Sequence, residues 1–227
     1  MKHHSLPQMA RILTLALATT AVSGAATLIN EGFEGGTNVF NLPTYAYTDG
    51  YTLTNTLSPT PGLRYAHGGN PAPGNNVAYT QTFSIPTLML ASFGFTTEQI
   101  DAGTVAFNIA SQFSTYQGQN DHAVISLQFR DGSSQPLGSA FQIGGSAFVT
   151  ALAGGTGNRD WGNATLEGFV PTGARELVVT LAETKTPQGA YIDGYVDNVR
   201  LDMNVVPEPG SAMLGLVGGL ILLRRRK

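Results

Sequence analysis

The sequence predicts an all-β protein whose main domain is an antiparallel two-sheet β-sandwich. Three stretches alternate apolar and polar residues with the period of two that is typical of strands buried on one face: residues 104–115, 121–131 and 175–183. Turn-forming pairs such as Asp131-Gly132 and Gly144-Gly145 separate the short runs. Because each strand would bury only one face, the pattern favours two sheets packed face to face.

The residues expected to face the core fall at odd positions in each run. They are Val105, Phe107, Ile109 and Phe113, then Ala123, Ile125, Leu127 and Phe129, then Leu177, Val179 and Leu181. Few other segments permit a helix. One helical turn is expected at residues 96–100, because Thr96 and Gln99 have the spacing of a capping box.

Residues 1–26 are predicted to be a signal peptide. A weakly basic start, with Lys2 and Arg11, precedes an apolar run at residues 12–22, and small residues follow at 23–26. Signal peptidase recognises this order, so cleavage is expected after Ala25 or Ala26. The alternative, an N-terminal membrane anchor, is disfavoured by the small residues that end the segment.

Residues 27–205 are long enough for a single domain with a sizeable core. They hold fourteen acidic residues against six basic ones, and the chain contains no cysteine. The negative charge argues against nucleic acid or an anionic membrane as a partner of this domain, and it is compatible with cation binding. Without disulfides, stability has to come from the core or from a metal.

The end of the chain, residues 206–227, has three parts in a fixed order. They are the stiff boundary Val206-Pro207-Glu208-Pro209, an apolar run at 211–223 expected to form a single hydrophobic helix, and the basic stop Arg224-Arg225-Arg226-Lys227. A helix of this length spans about 20 Å, against a hydrocarbon core of roughly 30 Å. It is a marginal membrane anchor, held at the anionic cytoplasmic surface by the basic residues. The alternative is a buried core helix, which is rarely apolar on every face.

This tail, with Pro-Glu-Pro intact, resembles the PEP-CTERM sorting signal of bacteria that secrete exopolysaccharide. The resemblance implies recognition by an exosortase, a membrane-embedded enzyme that processes its cargo near the motif. It also implies an exported protein that is transiently anchored in the inner membrane through the C-terminal helix. The expected destination is the cell surface or the extracellular matrix.

The last strand expected in the domain, at residues 190–203, carries a carboxylate that does not fit its pattern. If Val199, Leu201 and Met203 face the core, a period of two places Asp197 on the same inward face. A buried carboxylate is costly unless it is paired or hydrogen-bonded. At the other end of the domain, Glu31 and Glu34 offer further carboxylates.

The two ends of the domain together resemble the galactose-binding-like jelly rolls found in many carbohydrate-binding modules. The matching residues are Asn30, Phe33 and Glu34 in the opening segment and Asp197, Asn198 and Val199 in the closing strand. The resemblance implies a jelly roll whose first and last strands are neighbours and whose Glu34 and Asp197 hold a structural calcium ion. Calcium suits these hard oxygen ligands, which backbone carbonyls near Gly35 and Gly36 can supplement.

The segment Asp193-Gly194-Tyr195 of the same strand allows two interpretations. Ala190 and Ile192 would face the core from even positions, whereas Val199 would do so from an odd one. This change favours a β-bulge at Asp193. The alternative is that Asp193 contacts a ligand.

A ligand site is indicated by Trp161, the only tryptophan of the chain, which lies in the glycine-rich loop 154–162. An exposed indole ring can stack on a sugar, while the neighbouring Arg159 and Asp160 bind its hydroxyl groups. Tyr116, in a second polar loop, has the same potential. The alternatives are that Trp161 folds back over the edge of the core, and that Asn120 and Asp121 only cap a hairpin.

No catalytic residue is assigned. The sequence has no HExxH, Gly-x-Ser-x-Gly, Walker or GxGxxG motif, and His67 and His122 are more typical of loop residues than of catalysts. We therefore expect a non-catalytic protein that binds polysaccharide through a calcium-stabilised jelly roll. Two alternatives stay open: a structural or adhesive matrix protein without a sugar site, and a carbohydrate-active enzyme with a carboxylate pair.

Overall fold

A computed structural model describes residues 25–34, 38–42, 47–48, 64–69, 76–152 and 160–206 of the chain. The strands of this part are β1 (Ala26–Glu31), β2 (Tyr47–Thr48), β3 (Tyr65–Gly69), β4 (Tyr79–Ser84), β5 (Leu88–Met89), β6 (Val105–Thr115), β7 (His122–Arg130), β8 (Phe141–Gly144), β9 (Gly162–Phe169), β10 (Glu176–Lys185) and β11 (Ile192–Val205). Its helices are α1 (Thr97–Asp101) and α2 (Ser146–Thr150), with a 3-10 turn at Leu90–Phe93 before α1.

The strands form two sheets in which all neighbours are antiparallel. The six-stranded sheet has the order β2-β3-β11-β6-β9, and β1 also pairs with β11. The five-stranded sheet has the order β4-β10-β7-β8, and β5 also pairs with β10. The predicted antiparallel two-sheet sandwich is confirmed, and its first and last strands are neighbours.

The core lies between the sheets, on the face that the alternation predicts. In β7 the odd-numbered residues from Ala123 to Phe129 are buried and the even-numbered ones are partly exposed, and β6 and β10 alternate in the same way. Between the sheets, the ring of Phe107 lies 5.6 Å from that of Phe129. Burial of side chains of this size contributes roughly 1.5–3 kcal/mol each, so these alternating faces hold the sandwich together.

The helical turn predicted at residues 96–100 is confirmed as α1. The N–H of Gln99 donates to the Thr96 hydroxyl at 3.2 Å, and the N–H of Thr96 donates to the Gln99 side chain at 2.9 Å, which completes the capping box. The sequence pattern does not predict α2, since Phe148 and Val149 have low helix propensity. Val149 is fully buried, so tertiary packing decides this turn.

The expectation that Asp197 shares the inward face of β11 is wrong. Val196 pairs with the core residue Phe113, and Asp197 pairs with Gln112. Because neighbouring residues of a strand project to opposite faces, Asp197 points away from the side of Val196.

A β-bulge explains this difference. The register between β11 and β6 shifts by one between Asp197 and Arg200, and Asn198 has a φ of 50°. A bulge with its first residue in the left-handed region inserts one extra residue and returns Val199 to the core. A prediction from a period of two assumes that no residue is inserted in the strand, and therefore it cannot reveal the bulge.

A second irregularity of β11 lies at the predicted bulge. Against β3, the register shifts between Ile192 and Tyr195, which brackets Asp193. The same long strand therefore carries two bulges.

Both terminal segments lie largely outside the described residues. These are residues 1–24 of the expected signal peptide and residues 207–227, which include Pro207, Glu208, Pro209, the apolar run and the basic stop. Ala26 begins β1 and pairs with Met203, at the expected domain boundary. Among the residues that the structure describes, no helix is long and apolar enough to cross a membrane.

Candidate functional site

Three carboxylates gather where the strands beside β11 leave a gap. β1 pairs with residues 199–203 of β11, and β3 pairs with residues between 192 and 196, so neither pairs with Asp197. Glu31 ends β1, and Glu34 follows in the next segment. We call Glu31, Glu34 and Asp197 the junction cluster.

Backbone N–H groups position the two glutamates of the junction cluster. The carboxylate of Glu31 accepts hydrogen bonds from the N–H groups of Phe33 and Val39 at 2.7 and 2.8 Å. The carboxylate of Glu34 accepts from the N–H of Arg64 at 2.9 Å. Glu34 therefore ties the opening segment of the domain to the start of β3.

Asp197 is the buried member of this cluster. It is 1% exposed, and burial raises its pKa to about 7. The N–H of Asn198 donates to it at 2.7 Å and opposes this rise, while the charges of Glu34 and Glu31 add to it. The structure thus brings Glu34 and Asp197 close enough to repel each other, and a cation would relieve that repulsion.

The chemistry of the junction cluster suits a calcium ion that also has backbone or water ligands. Its side chains offer hard oxygens, and calcium takes about six to eight of them, including backbone carbonyls and waters. Within the described ranges, no group of three or more His, Cys, Asp or Glu side chains is arranged to hold a metal ion. The expected backbone donors near Gly35 and Gly36 lie outside the described residues.

A second group of carboxylates lies at one end of the sandwich, where β6 and β10 end and β7 and β11 begin. It comprises Asp121, Glu183 and Asp193, which are 0%, 0% and 7% exposed. We call these three residues the end cluster. Its members come from three different parts of the chain.

Asp121 is the best satisfied member of the end cluster. It accepts hydrogen bonds from the N–H and the hydroxyl of Thr186 at 2.7 and 2.6 Å, and from the N–H of Asp193 at 3.0 Å. With its amide nitrogen turned toward the carboxylates, Gln119 bridges Asp121 at 3.3 Å and Asp193 at 3.2 Å. Asp121 therefore does not merely cap a hairpin, because it joins the β6–β7 connection to the β10–β11 connection.

Between these two connections lies an open cleft of about 220 Å³ that we call the end cleft. The residues that line it are Tyr116, Gln119, Gly189, Ala190, Tyr191 and Asp193. The two interpretations of Asp193 are thus compatible, since the residue lies in a bulge and also faces a cleft.

Burial and neighbouring groups both change the pKa of Asp193. Burial raises its pKa to about 6, and the charge of Asp121 adds to this rise. Hydrogen bonds from Tyr195 and Gln119 and the charge of Lys185 oppose it. At neutral pH the carboxylate is ionised but close to its titration range.

Glu183 lies deeper, on the core-facing side of β10. Neither of its oxygens has a hydrogen-bond partner in the part of the chain that the structure describes. Burial and then repulsion from Asp121 raise the pKa of Glu183 well above its usual value, which favours its neutral form. Lys185, two residues on and also buried, donates to the carbonyl of Val77 at 3.0 Å.

Trp161 packs against Tyr65 and does not line the end cleft. The two rings meet edge to face with centroids 5.6 Å apart, and the Trp161 Nε1 is buried without a hydrogen-bond partner among the described residues. Tyr65 in turn packs on Tyr195 at 5.1 Å, and the Tyr195 hydroxyl reaches Asp193 at 3.4 Å. This contact favours the alternative in which Trp161 covers the edge of the fold.

The other residues predicted to contact a ligand do not lie together. Tyr116 lines the end cleft, Asp160 is exposed, and Arg159 lies outside the described residues. His67 and His122 lie on strands and not in loops, because His67 is buried within β3 and His122 begins β7. All five residues of β3 are buried, so the strand has no alternation that would identify it.

Gln119, Tyr191 and Glu183 are not among the residues predicted from the sequence. Glu183 continues the inward series of Val179 and Leu181, so extending the period of two by one step identifies it. Gln119 and Tyr191 lie in connections without a period, and only the folded chain brings them together.

No protein-family model matches the chain, and no curated protein matches it significantly. Among solved structures, it is similar to the xylan-binding CBM22-1 domain of Paenibacillus barcinonensis Xyn10C, with a TM-score of 0.40 and 14% identity over 82% of this chain and 100% of that one. It is also similar to a cyclase from Fischerella sp. TAU, with a TM-score of 0.46 and 14% identity over 82% of this chain and 100% of that one. A third similar structure is the K3 adhesin domain of Lys-gingipain from Porphyromonas gingivalis, with a TM-score of 0.40 and 12% identity over 78% of this chain and 98% of that one.

Carbohydrate-binding modules of families 16 and 61 are also among the similar structures. These proteins include binding modules, an enzyme and an adhesin domain, all with TM-scores below 0.5. Similarity at this level does not select a function, so the function has to be argued from the residues of this chain.

Proposed function

We propose that this protein is an exported, non-catalytic polysaccharide-binding protein and that the end cleft is its binding site. The observation that carries the proposal is the presence of Tyr116, Tyr191, Gln119 and Asp193 around one open cleft. Aromatic rings offer apolar faces to a sugar ring, and amide and carboxylate groups bind its hydroxyl groups. The cleft is smaller than the roughly 300–1,000 Å³ of drug-sized sites, so we expect it to hold a short segment of a glycan.

Hydrogen bonds within the two connections preorganise this site. The N–H of Tyr116 donates to the carbonyl of Asp193 at 3.3 Å, and the N–H of Gln119 donates to the carbonyl of Tyr116 at 3.1 Å. On the other wall, the N–H of Asn76 donates to the carbonyl of Gly189 at 3.2 Å. Groups already held in place lose less entropy when a ligand binds.

Binding rather than hydrolysis is favoured by the surroundings of Asp121. Two-carboxylate glycoside hydrolysis requires that both carboxyl groups reach the sugar. Asp121 is fully buried, and both its oxygens accept hydrogen bonds from Thr186 or Asp193. Of the two carboxylates Asp121 and Asp193, only Asp193 lines the cleft.

Calcium is proposed as a structural ion at the junction cluster. Glu34 and Asp197 would hold it, next to Glu31, and the ion would supply the positive charge that opposes their mutual repulsion. The raised pKa of Asp197, about 7, supports this proposal because it marks a carboxylate that the fold has not neutralised. Such an ion would cross-link the opening segment to the closing strand.

The route of the protein is proposed from its two termini. Signal peptidase would remove residues 1–26, and an exosortase would recognise Val206-Pro207-Glu208-Pro209 while the C-terminal helix holds the chain in the inner membrane. Replacement of Pro207, Glu208 and Pro209 by alanine should leave the protein exported but retained unprocessed. Equal mass and location of wild type and variant in the native host would contradict the sorting proposal.

The binding proposal is tested with the full-length protein on a glycan array and by affinity electrophoresis. Tyr191→Ala should weaken retention by about tenfold or more, since truncation of a binding-site aromatic removes most of its contact. Phe169→Ala, at an exposed aromatic residue beside the start of β6 and away from the end cleft, is the matched control and should bind as wild type does. Failure of the wild type to bind any glycan would leave the structural or adhesive alternative.

Trp161→Ala separates the end cleft from the loop site predicted from the sequence. The structure leads us to expect a lower melting temperature, because the indole packs against Tyr65. Lost glycan binding at an unchanged melting temperature would instead assign the site to Trp161.

A further inference from the structure

The end cleft has more negative than positive charge around it. Asp193 lines the cleft, and Asp121 lies behind it, bridged through Gln119. Within the described residues, Lys185 is the cation whose charge acts on Asp193. Two carboxylates therefore face one ammonium group.

Glu183 shows independently that this end of the fold is short of donors. Its carboxyl group is fully buried next to the charge of Asp121, and its two oxygens have no hydrogen-bond partner among the described residues. The two oxygens of Glu183 thus lack a donor in the described part of the end cluster. A ligand that brings donors and positive charge complements such a site, because an ammonium group has three N–H donors and no acceptor.

The walls of the end cleft indicate what kind of cation fits. Tyr116 and Tyr191 line it beside Asp193, and tyrosine rings attract organic cations through their faces. A bare metal ion would instead need several oxygen ligands, and Asp193 is the one carboxylate among the described residues that line the cleft. The combination of aromatic walls and a single accessible carboxylate suits an ammonium group carried on a ring.

We propose that the end cleft selects polysaccharides that contain free amino sugars, with the protonated amine at Asp193 and the sugar ring against Tyr116 or Tyr191. This inference rests on the proposed polysaccharide-binding function and names the class of glycan. The amine makes charge-assisted hydrogen bonds, which are roughly twice as strong as neutral ones. An N-acetylated sugar lacks this charge.

The test compares three oligosaccharides of the same length and linkage on the full-length protein: oligomers of glucosamine, N-acetylglucosamine and glucose. At pH 7 we expect glucosamine oligomers to bind about tenfold more tightly than the other two, on the basis of one charge-assisted hydrogen bond. Asp193→Asn should remove this preference, because it should lower the affinity for glucosamine oligomers about tenfold more than the affinity for glucose oligomers. Asp160→Asn, at an exposed carboxylate outside the cleft, is the matched control and should keep the preference.

Salt provides a measurement that does not depend on the folding of a variant. The preference of the wild type should shrink only modestly as ionic strength rises, because salt screens a pair at a carboxylate that is 7% exposed less than it screens an exposed pair. Equal affinity of the wild type for the three oligomers would overturn the inference and leave polysaccharide binding intact. A preference that survives in a folded Asp193→Asn variant would do the same. No binding of any oligomer or polysaccharide would overturn both this inference and the proposed function.

Discussion

The junction cluster and the end cluster differ in how their negative charge is compensated. At the junction cluster, Glu31 and Glu34 accept backbone N–H groups, and Asp197 has a raised pKa of about 7. At the end cluster, Asp121 is surrounded by donors from Thr186 and Asp193, and the raised pKa values fall on its neighbours. Donors fixed in loops can satisfy one buried carboxylate, but they do not neutralise a group of three.

The cost of ionising these groups shows what each cluster lacks. At about 1.4 kcal/mol per unit of pKa, the rise from 3.8 to about 7 gives an upper bound on the order of 4 kcal/mol for the cost of ionising Asp197, which solvent screening lowers. For Asp193, from 3.8 to about 6, the figure is on the order of 3 kcal/mol. Both clusters would gain from a cation, which we propose to be calcium at the first and a ligand amine at the second.

The largest effect is expected from Asp121→Ala, which would break the donor network of the end cluster. The N–H and hydroxyl of Thr186 and the N–H of Asp193 would lose their acceptor. We expect a loss of about 3 kcal/mol or more in the free energy of unfolding, because buried donors to a charged group would be left unsatisfied. Denaturant unfolding measures it, with Asp160→Ala as an exposed control that should change stability by less than about 0.5 kcal/mol. Equal stability of Asp121→Ala and wild type would show that the network does not join the two connections.

Calcium should act on the junction cluster and not on the end cluster. An ion that binds only the folded state at a hundredfold excess over its dissociation constant adds about 2.7 kcal/mol, which is several degrees of melting temperature. Asp197→Asn should remove this effect, Glu34→Gln should weaken it, and Asp193→Asn should preserve it. Thermal unfolding of the full-length protein in chelator and in millimolar calcium is the measurement. Identical curves in the two conditions would refute the calcium site.

A smaller effect is expected from Glu183→Gln, and it should depend on pH. Because the pKa of Glu183 is raised in the folded state, the native protein holds a proton that the unfolded chain loses above about pH 4.5. Stability is therefore lost as the pH rises from about 4.5 toward the folded-state pKa, and glutamine removes this loss. We expect the variant to be more stable than wild type by roughly 1–2 kcal/mol at pH 8, and nearly equal to it at pH 4. Parallel stability curves across this range would indicate that Glu183 does not titrate.

The alternation of apolar residues predicted β6, β7 and β10 together with the face that each buries. It worked because none of these three strands carries an inserted residue: β7 pairs with β10, and β6 with β9, without a register shift, and the extra residue of the β6–β11 pairing lies in β11. The parity of the residue number and the face of the sheet therefore stay in step along each strand. It failed for Asp197, since one residue at Asn198 changes the phase of β11. It gives no sign of β3, because all five residues of that strand are buried.

By itself, the sequence determined the fold class, the capped turn α1 and the inward faces of the long regular strands, because periodicity and capping are local properties that the order of residues contains. It also predicted that Asp197 and Glu34 belong near each other, through the resemblance of the two ends of the domain. Only the tertiary structure decided that Tyr116, Tyr191, Gln119 and Asp193 share a cleft and that Trp161 packs on Tyr65. Those contacts join connections that are far apart in the chain. Their geometry depends on where the two sheets end, and no local sequence pattern contains that information.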